Sequence, residues 1–200
     1  MSSSLTAAPS DVQGSDARFN TIPSLDGAPP LVTVRHLTKT YRGRPALRDL
    51  SLSLPAGRIV GLMGANGCGK TTLLKILAGV LADYEGQVRI AGHAPGPLSK
   101  ALVSFLPDAD FLATSLTPPR AIAQFSRLFA DFDAAKARRL VDFFALPAER
   151  SIKEMSKGMG EKLRIALMMS RRARVYLLDE PISGVDPAAR EIILDGVLRD

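Results

Sequence analysis

Gly64-Ala65-Asn66-Gly67-Cys68-Gly69-Lys70-Thr71-Thr72 is the stretch on which the reading of this chain turns. It fits the pattern G-x-x-x-x-G-K-[ST], with Gly64, Gly69, Lys70 and Thr71 at the fixed positions. The apolar run before it, Arg58 to Met63, reads as a short buried strand. The run after it, Thr72 to Leu81, carries Leu73, Leu74, Ile76, Leu77, Val80 and Leu81 at helical spacing and predicts a packed helix. Strand, glycine turn and helix together are the context in which the pattern works. The glycines let successive backbone N–H groups face inward as an anion nest, and the helix start adds partial positive charge. Lys70 is placed to reach terminal phosphates, and the Thr71 hydroxyl to ligate magnesium. Gly64 through Thr72 is therefore predicted to hold the phosphates of a nucleoside triphosphate.

Such a site needs a second strand that delivers a carboxylate, and Val175-Tyr176-Leu177-Leu178-Asp179-Glu180 supplies one. Asp179, at the carboxyl end of this strand, is predicted beside the phosphate loop as a magnesium ligand. Glu180 is the candidate general base for an attacking water. A buried strand that merely ends in an acidic turn is the plain alternative.

Two further stretches narrow the class. Met155-Ser156-Lys157-Gly158-Met159-Gly160-Glu161 precedes the helical run Lys162 to Met169, and Pro181-Ile182-Ser183-Gly184-Val185-Asp186-Pro187 follows Glu180. In this order and spacing the chain, from about Leu31 to its end, resembles the ATP-binding-cassette (ABC) family. Ser156-Lys157-Gly158-Met159 resembles that family's signature in a form with Lys and Met where Gly and Gln are commoner. This form is similar to that of the ATPase subunits of bacterial antibiotic and multidrug exporters. Ser183, Gly184 and Asp186 resemble the dimer-facing loop, and Tyr41 stands where the family stacks an aromatic on adenine. A Ser and a Gly ahead of a long helix also make physical sense as an anion-binding helix end. Ser156 read by itself is an ordinary helix N-cap. The resemblance implies a head-to-tail pair of subunits, each ATP lying between one phosphate loop and the partner's signature.

Two positions depart from the family pattern. Where a Gln usually ends the strand Leu102-Val103-Ser104-Phe105-Leu106, this chain has Pro107-Asp108. Asp108 offers magnesium a charged oxygen on a shorter arm, or is a turn residue beside Pro107 and Asp110. Both readings stand. The family's switch histidine is expected well after Glu180, whereas the two histidines here are His36 and His93. Asp186 and Pro187 open a helix with Ile192, Ile193 and Val197 on its apolar face, which runs to Asp200 without a stop signal. The domain is expected to be truncated before that histidine.

Composition sets wide bounds. The chain has 200 residues, 46% of them hydrophobic, enough for one substantial core with a small lobe. The single cysteine, Cys68, excludes an internal disulfide and suits a reducing compartment. No stretch approaches the roughly 18 apolar residues of a membrane span, so a transport channel would be another polypeptide. No signal segment opens the chain. Residues 1–30, rich in Ser, Ala, Pro and Asp, are expected to be a disordered extension. They carry a net charge of −2, leaving +8 on the remainder. That basic body suits a solvated surface, anionic lipid, or ATP, and no aromatic-interleaved nucleic-acid motif accompanies it.

Alternation in Leu31–Leu37 and at Leu50, Leu52 and Leu54 predicts strands, as does Gln87–Ile90 after the Glu85-Gly86 turn. These would flank a parallel core antiparallel to one another. Helices are predicted over 120–130 and 134–145, with Asp133 as N-cap of the second, inside a lobe at about 110–155. The loop Asp110 to Leu116 either receives a membrane subunit, as the family implies, or packs Phe111 and Leu116 inside the lobe.

The expected fold is thus an α/β P-loop NTPase of ABC type over 31–200, with a parallel core sheet, an antiparallel flank and an inserted helical lobe. The expected function is ATP hydrolysis, with magnesium as cofactor, in a homodimer or heterodimer of ATPase subunits. That dimer would drive export through a separate membrane permease, from a cytoplasmic position on the inner face of the membrane. Two alternatives remain: a soluble ABC ATPase acting on DNA or ribosomes, and a nucleotide-binding regulator with little turnover.

Overall fold

The computed structural model describes the backbone of residues 3–6 and 20–21, and residues 29–179 in full. Glu180, Ser183, Gly184, Asp186 and the helix expected after Pro187 lie outside the described residues, as does most of 1–28. The chain divides into two compact units, 1–100 and 101–200.

In the first unit the strands are β1 (Ser3–Thr6), β2 (Asn20–Thr21), β3 (Val32–Tyr41), β4 (Arg44–Leu54), β5 (Val60–Met63) and β6 (Glu85–Ile90). β3 pairs antiparallel with both β4 and β6, giving the sheet order β2-β4-β3-β6. The expected antiparallel flank is present, and its alternation buries Val32, Val34 and Leu37 with Leu52, Val88 and Ile90. β3 and β4 run further than their apolar patterns implied, because they continue past the core into an exposed hairpin at Arg42-Gly43. Two short pieces of 1–30, expected to be without regular structure, are paired: β1 lies parallel to β5, and β2 to β4.

The strand before the phosphate loop differs from its reading. β5 starts at Val60 rather than Arg58, and Met63 at its end is 55% exposed. Within the described residues of this unit only β1 pairs with it. Helix α1 (Lys70–Leu77) is also shorter than the apolar spacing suggested. The chain leaves it through Gly79, whose N–H donates to Ile76 O at 2.9 Å while Val80 N–H donates to Lys75 O at 2.9 Å. That double bond pattern is a Schellman ending, and it stops the helix before Val80 and Leu81.

Gly86 marks the closest approach of β6 to its antiparallel neighbour β3. Its φ is +98°, and a Cβ there would fall 2.3 Å from His36 O and 2.7 Å from Arg35 O. β3 shifts register at that point, between Arg35 and Thr38. Gly86→Ala is expected to destabilise the protein by about 2–3 kcal/mol, because strain and backbone overlap add. Urea denaturation measures this, and an unchanged midpoint would show that β6 shifts freely.

The second unit contains α2's last residues (α2, Pro97–Leu102), β7 (Val103–Leu106), α3 (Pro118–Leu128), α4 (Ala134–Phe143), a 3-10 turn (Ile152–Glu154), α5 (Lys157–Met169) and β8 (Val175–Leu178). β7 and β8 are parallel, with Leu106 opposite Leu178. α3 begins two residues before its expected start, since Thr117 precedes Pro118 and Pro119 and proline suits the first turn. It ends at Leu128, where Phe129 is extended. Ala121, Ile122 and Phe125 of α3, Ala137 and Val141 of α4, and Leu163 with Ile165 to Met169 of α5 form one cluster with Leu106. Leu112 and Leu116 pack against it, while Phe111 is 37% exposed with its ring 6.2 Å from that of Phe125. The packing reading of the 110–116 loop therefore holds for Leu116 and only partly for Phe111.

Asp133 caps α4 as expected, its Oδ1 accepting from Lys136 N–H at 2.8 Å. That backbone bond, more than the neighbouring Arg172, holds its carboxyl below the usual range. Glu154 is lowered likewise, by hydrogen bonds from Ser151. Both caps favour the folded chain above the ordinary carboxylate range and lose that contribution as pH falls through their lowered values.

Candidate nucleotide site

The phosphate loop joins β5 to α1 and is open to solvent from Gly64 to Cys68. Its last glycine is set by packing. Gly69 has φ +97°, and a Cβ there would lie 2.3 Å from Ala46 O and 2.8 Å from Leu47 Cδ2. The loop consequently lies directly on β4, and α1 starts from that contact. Cys68 N–H donates to Ala65 O at 3.2 Å, closing a turn inside the loop. Lys70 folds back over it, its ammonium donating to Gly64 O at 2.9 Å and Ala65 O at 3.0 Å, with Cys68 Sγ 3.9 Å away. No acidic residue occupies the first turn of α1, so its positive end is not neutralised locally. Thr71 is exposed and Thr72 half-buried on that first turn.

The same hairpin brings Tyr41 into this neighbourhood. Tyr41 ends β3 opposite Arg44, and Thr40 pairs with Pro45, next to the Ala46 carbonyl that meets Gly69. Its ring is 45% exposed. Tyr41 and the phosphate loop thus share one support, the start of β4. A loop shaped to this degree, with an exposed aromatic beside it, suits an anionic ligand that carries a flat ring.

The second unit gathers the remaining described candidates. Asp179 follows β8 and is buried, its N–H donating to Leu106 O at 2.9 Å. Asp108 follows β7 after Pro107 and is exposed. Because β7 and β8 are parallel and in register, both carboxylates leave the same, carboxyl, end of that pair. Asp110, two residues on, is drawn away by an ion pair with Arg164 of α5. Among the described residues no three His, Cys, Asp or Glu side chains cluster as a metal site. Threonine hydroxyls and carboxylates are each a donor type that a hard cation such as magnesium takes.

Ser156 is the N-cap of α5, its Oγ accepting from Met159 N–H at 3.3 Å. The plain N-cap reading of this serine is therefore correct as far as it goes. Lys157 is exposed, with Glu161 Oε1 3.9 Å from its ammonium. The lead-in to this helix is pinned: Ile152 N–H donates to Leu116 O and Lys153 N–H to Thr114 O, each at 2.9 Å. Sequence reasoning passed over Lys39 and Arg171, which it grouped with the solvated charges. Lys39 is 5% exposed and Arg171 likewise. Lys39 shares a strand face with Tyr41, two residues on, and that period was the available signal. Arg171 had none, since its partners come from other elements.

Comparisons with known proteins bear on the family and the fold. The chain is 32% identical over 176 residues to the Nod factor export ATP-binding protein I of Ralstonia nicotianae, covering 84% of this chain and 54% of that one. It is 35% identical over 169 residues to the aliphatic sulfonates import ATP-binding protein SsuB 1 of Xanthomonas axonopodis pv. citri, covering 80% and 66%. A solved structure described as the ATP binding subunit of an ABC transporter superposes with a TM-score of 0.75 at 26% identity, covering 84% of this chain and 74% of that one. The chain thus spans between about half and two thirds of the length of these curated relatives. No described helix is long and apolar enough to cross a membrane. Residues 47–183 match the family model described as ABC transporter, and with its phosphate loop and ABC-type α/β fold the chain belongs to the ATP-binding proteins of that family.

Proposed function

We propose that this chain binds Mg-ATP and hydrolyses it, as an ATPase subunit that pairs head to tail and drives transport through a separate membrane permease. The observation that carries the reading is the phosphate loop resting on β4, with the Lys70 ammonium over it and Tyr41 beside it. In this reading Gly64 to Thr72 hold the phosphates, Lys70 clamps the terminal ones, and Tyr41 stacks on the base. Thr71, Asp179 and Asp108 hold magnesium, which supplies charge neutralisation to the phosphates. Glu180 accepts a proton from the attacking water. Ser156, Lys157, Gly158 and Met159, at the start of α5, meet the nucleotide of a partner subunit, and Ser183, Gly184 and Asp186 face that partner. Export is favoured by the Ser-Lys-Gly-Met form of the signature, although one relative above is named for export and the other for import. The position in the cell follows from the permease: the cytoplasmic face of the membrane.

Lys70→Ala is the direct test. Its contacts in the structure, two carbonyls and the Cys68 sulfur, all belong to its own loop, so the loop stays closed by the Cys68–Ala65 turn without it. A charge-assisted contact contributes on the order of 1.5–3 kcal/mol, so ATP affinity should fall roughly ten- to a hundred-fold. Titration with a fluorescent ATP analogue measures it. Unchanged affinity would remove the phosphate role of this loop.

A further inference from the structure

The aromatic ring beside the phosphate loop is not an isolated platform. Lys39 Nζ lies 4.9 Å from the centroid of the Tyr41 ring. The same ammonium donates to Asp83 Oδ2 at 2.6 Å. Lys39 is 5% exposed, whereas the Asp83 side chain is 94% exposed. An ammonium that far out of water costs desolvation, and here two things offset it: the ring face and one carboxylate. Lys39 and Tyr41 stand two residues apart on β3 and so share a face of the strand. Asp83 comes from the connection between α1 and β6, the segment reached directly from the phosphate-bearing helix.

We infer that Lys39, held by Asp83, is a positioning residue for the base of the bound nucleotide: it occupies one face of Tyr41 and leaves the other as a single, oriented stacking surface. This rests on the proposal that Tyr41 stacks on the base. Two physical effects follow from the contact. The cation restrains rotation of the ring, so less freedom is lost when a base stacks. It also draws π density toward itself, which makes the far face a better partner for an electron-rich purine. The phosphates gain nothing from either effect, since Lys39 spends its charge on Asp83 and the ring.

The experiment compares two probes on the full chain, ATP and inorganic tripolyphosphate, each displacing a fluorescent ATP analogue. Lys39→Met should weaken ATP roughly three- to ten-fold and leave tripolyphosphate unchanged, the range a cation–π contact of this kind supports. Lys39→Arg, which keeps the cation over the ring, should restore ATP affinity. Asp83→Asn, on an exposed side chain, tests the same link should Lys39→Met fail to fold, and should weaken ATP in the same sense. Equal losses for both probes would overturn the inference in favour of a purely structural lysine. So would Lys39→Met and Asp83→Asn that bind ATP normally while Tyr41→Ala does not, a result that leaves the stacking role intact. If Tyr41→Ala itself binds ATP normally, the stacking reading falls and this inference falls with it.

Discussion

Arg171→Met is expected to lower the unfolding free energy by about 3–5 kcal/mol, the range seen when one partner of a buried ion pair is removed. The guanidinium is 5% exposed and makes four hydrogen bonds. Nε and Nη2 each reach the Asp131 carboxylate at 3.1 Å, a bidentate pair. Nη1 donates to Val103 O at 2.7 Å and Nη2 to Ala101 O at 3.2 Å. The Phe129 ring covers it at 4.2 Å from the centroid. One side chain thus ties the start of β7, the connection between α3 and α4, and the end of α5. Methionine fills much of the space but leaves a partly buried carboxylate and two carbonyls without a donor. Arg172→Met is the control: its guanidinium is 78% exposed and meets Asp133 at 3.3 Å, so its loss should stay within about 0.5 kcal/mol. Urea midpoints for the two variants decide the matter. Equal, small shifts would mean that the Arg171 cluster is decoration.

Glu180→Gln should leave ATP binding nearly unchanged while turnover falls by roughly 10²–10⁴, the contribution of a positioned general base. Glutamine keeps the shape and most hydrogen bonds of glutamate but does not accept a proton at neutral pH. The variant should therefore accumulate with ATP bound, and under the head-to-tail reading it should accumulate as a dimer. Steady-state phosphate release gives the first quantity, and light scattering with and without ATP gives the second. Turnover close to wild type would move the base to another residue. A monomer at saturating ATP would argue against Ser156 reading a partner's nucleotide.

What the sequence disclosed, and what it did not, follows from distance along the chain. The phosphate loop is contiguous, so its glycines, Lys70 and the start of α1 could be placed from one short pattern. The flank strands and lobe helices were legible because one buried face imposes period two on a strand and 3.6 on a helix. The Asp133 cap was legible for the same local reason. The helix end at Gly79 lay hidden, because Val80 and Leu81 continue the apolar period past a turn that backbone bonding enforces. The strand period placed Lys39 on the face of Tyr41 but did not disclose its burial, and Arg171 carried no signal at all. Each is kept out of water by partners on other elements, Asp83 for one and Asp131 with two carbonyls for the other. An ionic side chain on an alternating strand or just past a helix is by default a solvated charge, and only the tertiary structure identifies the exceptions.

The contact between Gly69 and the Ala46 carbonyl has a bearing on ancestry as well as chemistry. Any larger residue at that position would push the first strand pair away from the helix, whether or not a ligand ever arrives. A descendant that had abandoned nucleotides would be free to drift at Lys70 or Thr72, yet would still be obliged to keep this glycine. Its retention in a distant homologue is accordingly a record of shared architecture, while retention of the neighbouring lysine is a record of shared use.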